Sequence, residues 1–235
     1  MKCRKRPVLA IIDQYCPRIC DMIRSMRYLT FLAFVAFSFP SSGISAVAFT
    51  NFEPGMTWGT GGWIVSGSNT TSGWSIPASR FTSEVTGLLT SVQVAVAHQS
   101  GSTNGMSVRL YGSNGAGQIG LLIEQWLPTN LAPVESGGGL VTLNSKTTSM
   151  LTKGNHYWLA LFPLSLGTES VWMWPKNEKL LPYAYSTNGG QMFNYIGDSL
   201  PGTFQVNAVP EPSSMLALGV GGMLLRRRSL KSRTS

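Results

Sequence analysis

Three kinds of residue in this sequence invite a chemical reading, and their spacing decides how far each reading goes. The first is Gly115-Ala116-Gly117-Gln118-Ile119-Gly120, which has the G-x-G-x-x-G spacing of a dinucleotide-binding turn. That chemistry needs a strand before the glycines and a helix after them, so that the helix N-terminus meets the pyrophosphate. A strand pattern precedes the glycines, but residues 121–126 are too few for a crossover helix and lead to Pro128. The segment is therefore expected to be a Gly-rich turn between two strands, with no cofactor.

The second kind is the titratable and nucleophilic set. His98 and His156 are the only histidines, and Cys3, Cys16 and Cys20 all precede residue 21. Without thiolates or an H-x-x-x-H spacing no metal site is expected. Serine is plentiful, but no G-x-S-x-G elbow presents one as a nucleophile. Glycoside hydrolysis needs two carboxylates about 5–10 Å apart. Glu124 and Glu135 are the candidates for a hydrolase-like alternative, and only the fold can bring them together. No catalytic residue is assigned, and the chain is expected not to be an enzyme.

The third kind is aromatic. All seven tryptophans lie between residues 58 and 174. Indole and phenol rings can stack on sugars, having apolar faces and polar edges, but they equally fill cores. In Val171-Trp172-Met173-Trp174 a strand would put both indoles on one face, about 7 Å apart. With Tyr183 they form a possible sugar-binding set, and burial of the pair is the expected competing outcome.

These residues must be positioned by short strands. Val92, Val94 and Val96 alternate with Gln93, Ala95 and Ala97, and Met106, Val108 and Leu110 alternate with Ser107, Arg109 and Tyr111. Period-two runs of this length read as half-buried strands. Further strands are expected at residues 63–66, 121–126, 140–143, 157–162, 171–174, 192–195 and 204–208. The almost continuously apolar run 157–162 belongs at a sheet centre, covered on both faces. Connectors rich in Gly, Ser, Asn and Thr separate these runs, and no capped segment has a helical period. The fold class is all-β: a single β-sandwich or jelly-roll-like domain over residues 49–208.

Charge is placed at the ends. Of 18 basic residues, twelve lie in residues 1–27 and 226–235. Residues 49–208 carry six bases against seven acids, so the net charge of +8 gives no basic surface for nucleic acid. Met26-Arg27 precedes a twelve-residue apolar run, 28–39, a break at Pro40, and Ala46-Val47-Ala48. A basic start, a short apolar helix and a small-x-small site describe a signal peptide, with signal peptidase as partner. Cleavage is expected after Ala48, at a site defined by Ala46 and Ala48. Residues 1–48 are thus a signal segment behind an extension of doubtful origin, with the true start at Met22 or Met26.

The C-terminal segment, residues 209–235, reads Pro210-Glu211-Pro212, then thirteen mostly apolar and Gly-rich residues, 213–225, then Arg226, Arg227 and Arg228. Such a helix is a marginal membrane span with its basic stop left in the cytoplasm. This order of parts resembles the PEP-CTERM sorting signal of Gram-negative bacteria. The resemblance implies transient inner-membrane anchoring, recognition and cleavage near the triplet by exosortase, and delivery to the cell surface or an exopolysaccharide-containing matrix.

The middle more loosely resembles choice-of-anchor domains of the R type. The matching pieces are Ala78-Ser79-Arg80-Phe81-Thr82, Leu89-Thr90-Ser91-Val92, Val108-Arg109-Leu110-Tyr111 before Gly117-Gln118-Ile119-Gly120, and residues 151–159. That family implies a fold and a context but no catalytic residues. The expected function is an exported, non-enzymatic structural or adhesive protein. A carbohydrate-binding module that engages exopolysaccharide is the first alternative.

Overall fold

A computed structural model describes residues 44–210. The chain forms thirteen strands: β1 (Ala46–Thr50), β2 (Gly62–Ser66), β3 (Ile76–Thr82), β4 (Gly87–Ser100), β5 (Met106–Ser113), β6 (Ile119–Trp126), β7 (Gly139–Asn144), β8 (Met150–Leu151), β9 (His156–Pro163), β10 (Glu169–Met173), β11 (Leu181–Ser186), β12 (Asn194–Ser199) and β13 (Phe204–Pro210). A 3-10 turn at Val134–Ser136 is the only helical element among the described residues.

The strands make two sheets, one of six strands in the order β12-β11-β3-β9-β5-β6 and one of seven built around β4. Every pairing between named strands is antiparallel. Along one edge of β4, β13 covers Gly87 to Val94 and β10 takes over from Val96. Along the other edge lie β8 and then β7. Residues of both sheets meet in one core, with Val92, Val94 and Val96 from β4 against Val108, Leu110, Leu159 and Leu161 from β5 and β9. Alternation in these strands places one face of each in that core, as period two requires.

Tyr157 to Phe162 are all buried and β9 lies between β3 and β5, at a sheet centre. The expectation of half-buried strands is corrected in the second half of β4, where Ala95 and Ala97 are fully buried too. They pack with Phe52, Val171 and Met173 under Met56, Trp58 and Val134, so chain from residues 52–58 and the 3-10 turn covers the sheet's opposite face. The strand expected at 192–195 is β12, displaced to Asn194–Ser199. Strands β1, β3, β8 and β11 were not expected from period two. In β3 and β11, Pro77 and Pro182 interrupt the pattern, and Ala78, Ser79 and Ala184 carry little apolar signal although all are buried.

Trp172 lies on β10 in register with Trp63, and the Trp174 ring meets the same Trp63 ring. β10 ends at Met173, and Trp174 follows as loop, its N–H donating to the Gly61 carbonyl at 2.8 Å. Trp172 is fully buried, its indole N–H donating to the Thr203 carbonyl at 3.2 Å. Gly202 lies flat against that indole: a Cβ there would run into the ring. Gly202→Ala is expected to cost about 1–3 kcal/mol or more through overpacking, and Trp172→Ala about 3–5 kcal/mol. Equilibrium urea unfolding measures both, and a midpoint unchanged by Gly202→Ala would refute this packing.

Candidate functional site

The residues proposed from the sequence as a sugar platform are instead inside the sandwich. Trp63 of β2 stacks on Tyr183 of β11 at 4.5 Å between ring centroids and meets Trp174 edge-on at 5.9 Å. Trp63 therefore links a strand of one sheet to a strand of the other. Tyr183 is buried, and burial first, then the neighbouring Tyr185, holds its phenol above the ordinary tyrosine range. Neither Trp172 nor Tyr183 offers a face to a ligand.

The candidate carboxylates are not brought together as an acid–base pair. Glu124, on β6, is buried and accepts hydrogen bonds from Ser145 Oγ at 2.7 Å, Lys146 N at 2.6 Å and Thr147 Oγ1 at 3.0 Å. It ties the β7–β8 loop to the six-stranded sheet. Glu135 is exposed on the 3-10 turn beside the other sheet. His156 is exposed, with Nδ1 2.9 Å from Thr82 Oγ1. His98 and Ser170 face each other in register across β4 and β10. Both Ser170 Oγ and His98 Nδ1 are buried without a hydrogen-bond partner, so they do not form a nucleophile–base couple. Among the described residues no group of three potential metal ligands occurs.

A cleft of about 290 Å³ opens on the outer face of the six-stranded sheet. Arg80 of β3 and Trp158 of β9, in register, line it with Pro182 of β11, and beside them runs a row of small residues, Ala184, Ala78 and Ala160 on β11, β3 and β9. Tyr195 of β12 pairs with Ala184 and continues that row. The Tyr195 ring meets Trp158 of β9 edge-on at 5.5 Å. The Tyr195 hydroxyl accepts from Ile119 N at 3.0 Å, which joins the edge strand to the β5–β6 turn.

That turn is the Gly115–Gly120 segment, and it joins two strands as expected. Asn114 Oδ1 accepts from Ala116 N at 3.0 Å and Gln118 N at 2.9 Å. Gly117 has φ of 78°, which glycine adopts freely. Its carbonyl accepts from both Arg80 Nη1 at 3.2 Å and Trp158 Nε1 at 3.1 Å. Arg80 also lies over the Trp158 ring at 5.9 Å. Arg80 makes no ion pair among the described residues. Asp198 and Gly197, on the bulged end of β12, form the opposite wall. Arg80, Tyr195 and Asp198 were not singled out from the sequence. The chemical signal near them was the glycine run, which marked the right loop for a different chemistry.

The first and last described strands pair with each other, Ala46 of β1 opposite Ala208 of β13. Residues 208–229 match the PEP-CTERM protein-sorting motif. No curated protein matches the chain. The motif implies export, with exosortase as sorting partner and the cell surface as destination. The match begins inside the fold: Ala208, Val209 and Pro210 are the last residues of β13, opposite Leu89, Leu88 and Gly87. Glu211, Pro212, the apolar segment 213–225 and Arg226, Arg227 and Arg228 lie outside the described residues, as does the apolar segment 28–39. Among the described residues no helix is long and apolar enough to cross a membrane.

If Glu124 is a structural anchor, Glu124→Ala should lower the unfolding free energy by about 1–3 kcal/mol, because Lys146 N and two hydroxyls lose their acceptor. Urea denaturation decides it, and an unchanged midpoint would return Glu124 to the list of candidate functional carboxylates.

Proposed function

We propose that this protein is a non-enzymatic component of the cell surface or extracellular matrix. In this reading signal peptidase and exosortase deliver it, and the β-domain serves a structural or adhesive role. The observation that carries the export route is the sorting-motif match at residues 208–229. Support for the non-enzymatic part comes from Glu124, whose carboxylate is occupied by three donors within the protein.

The domain is of the choice-of-anchor type, R-like, in this reading. The pieces that carry that resemblance fall on β3, β4, β5 and β9, the central strands of the two sheets, where a shared fold would be most constrained. Adhesion to exopolysaccharide through many weakly binding copies would suit a matrix protein.

Signal peptidase cuts after Ala48 in this reading, before the domain folds. The mature β1 then begins at Phe49, whose ring packs on Phe81 at 5.2 Å and Phe204 at 4.9 Å. The cut removes the Ala48 carbonyl that accepts from Glu84 N at 2.8 Å, and leaves that N–H to water. Mass spectrometry of exported material should find Phe49 at the N-terminus; a chain that keeps Ala46 and Ala48 would reject the cleavage site.

Replacing Pro210 and Glu211 together by alanine should leave a membrane-retained form that still contains Arg226, Arg227 and Arg228. Fractionation and peptide mapping read this directly. Normal release of that variant would reject exosortase recognition of the triplet.

A further inference from the structure

We propose that the cleft between β12 and the Asn114–Gln118 turn binds a saccharide, taking one hexopyranose ring of a glycan. The inference goes beyond the export route and does not depend on how the tail is processed.

The lining argues for the class of ligand. Arg80 is a half-buried guanidinium with five N–H donors, one of which reaches the Gly117 carbonyl. It has no carboxylate partner among the described residues, so its other donors remain for a ligand. Asp198, exposed on the facing wall, only accepts hydrogen bonds when ionised. Gln118, also exposed, can do both. Adjacent sugar hydroxyls both donate and accept, and a wall of donors facing a wall of acceptors matches them. Tyr195 is 39% exposed and supplies an aromatic surface beside these groups. Its ring is fixed at both ends, by Trp158 and by Ile119 N.

Size and charge exclude other classes. The volume of about 290 Å³ is at the lower end of small-ligand sites, which run from about 300 to 1,000 Å³. One arginine opposed by one aspartate makes no cationic field for a polyphosphate or a nucleic acid. An apolar ligand would leave Arg80 and Asp198 desolvated without partners.

The site is also pre-formed. Gly117 is fixed by Asn114 and receives two hydrogen bonds, and Arg80 is held over Trp158. A ligand therefore meets side chains already restrained, which lowers the ordering cost of binding.

Saturation-transfer NMR on the full chain in a non-glycosidic detergent tests the proposal. The probes are glucose, galactose and mannose with their three uronic acids. Saturable transfer to ring protons of at least one is expected. A preference for the uronic acid assigns its carboxylate to Arg80, and a preference for the neutral sugar assigns hydroxyls to Arg80 and Asp198. Asp198→Asn and Arg80→Gln should each weaken binding about tenfold or more, as expected for loss of a charged hydrogen bond. Asp198 is exposed, so Asp198→Asn should leave the melting temperature unchanged, which keeps the test independent of folding. Trp174→Phe, away from the cleft, should bind as the parent does. No saturable transfer from any of the six probes, or transfer undiminished in Asp198→Asn and Arg80→Gln, would overturn the proposal.

Discussion

The seven-stranded sheet depends on the contact between Trp172 and Gly202. β4 is fourteen residues long, and two strands share one of its edges, so β13 and β10 must meet end to end beside it. Thr203 makes the join. Its N–H donates to the Met173 carbonyl at 2.7 Å, and its carbonyl accepts from Ala95 N at 3.1 Å and from the Trp172 indole. This backbone is fully buried, so each group needs a partner. Asn51 supplies what no strand can: its Nδ2 donates to the Gly202 carbonyl at 2.9 Å, and its Oδ1 accepts from Phe204 N at 2.7 Å. The chain can pass so close to the indole only because residue 202 has no side chain.

From that join an aromatic chain runs through the core. Trp172 meets Phe204 at 5.7 Å, Phe204 meets Phe81 at 5.6 Å, and Phe81 stacks on Tyr157 at 5.6 Å. The chain starts on β10 and ends on β9, so it crosses from one sheet to the other. Trp63 and Tyr183 make a second crossing. The domain has no cysteine, and these rings do the tying that disulfides perform in smaller exported domains. The enrichment in tryptophan is thereby accounted for by packing at Trp63, Trp126, Trp158 and Trp172, whose indole nitrogens all donate to backbone carbonyls.

Period-two alternation made β4 and β5 legible, because valine and leucine there mark the buried face, and the continuous apolar run made the central place of β9 legible. Alternation failed at β3 and β11 because Pro77 and Pro182 interrupt it and outward Ala78 and Ala184 carry little signal. A small side chain reads as neutral in a pattern, yet Ala78, Ala160 and Ala184 form a buried row across three strands of the outer face. The choice between core and sugar platform for Trp172 and Tyr183 was illegible for a different reason. Strand parity tells which residues share a face but not whether that face is covered, and the face of β10 that carries Trp172 is the core face. Arg80 and Asp198 were illegible for want of any local spacing, because they come from separate elements, β3 and β12. What the sequence did carry plainly was the tail, because a sorting motif is read as a linear string.

That string is not independent of the fold. Ala208 is fully buried, and Val209 and Pro210 extend β13 opposite Leu88 and Gly87. A side chain at residue 87 would collide with the backbone of Val209 and Pro210, so Gly87 permits the strand to reach the triplet at all. On its other side Gly87 pairs with Leu151. The ladder weakens at Pro210, because proline has no N–H to donate. The first residue of the sorting triplet is thus also the place where the last strand can most easily part from the sheet. Strand ends open at little cost compared with global unfolding. Phe204 and Val206, at the other end, stay in the core. Along this one strand the Phe204 end lies in the core, and the Pro210 end, inside the matched sorting motif, lies where the ladder is weakest.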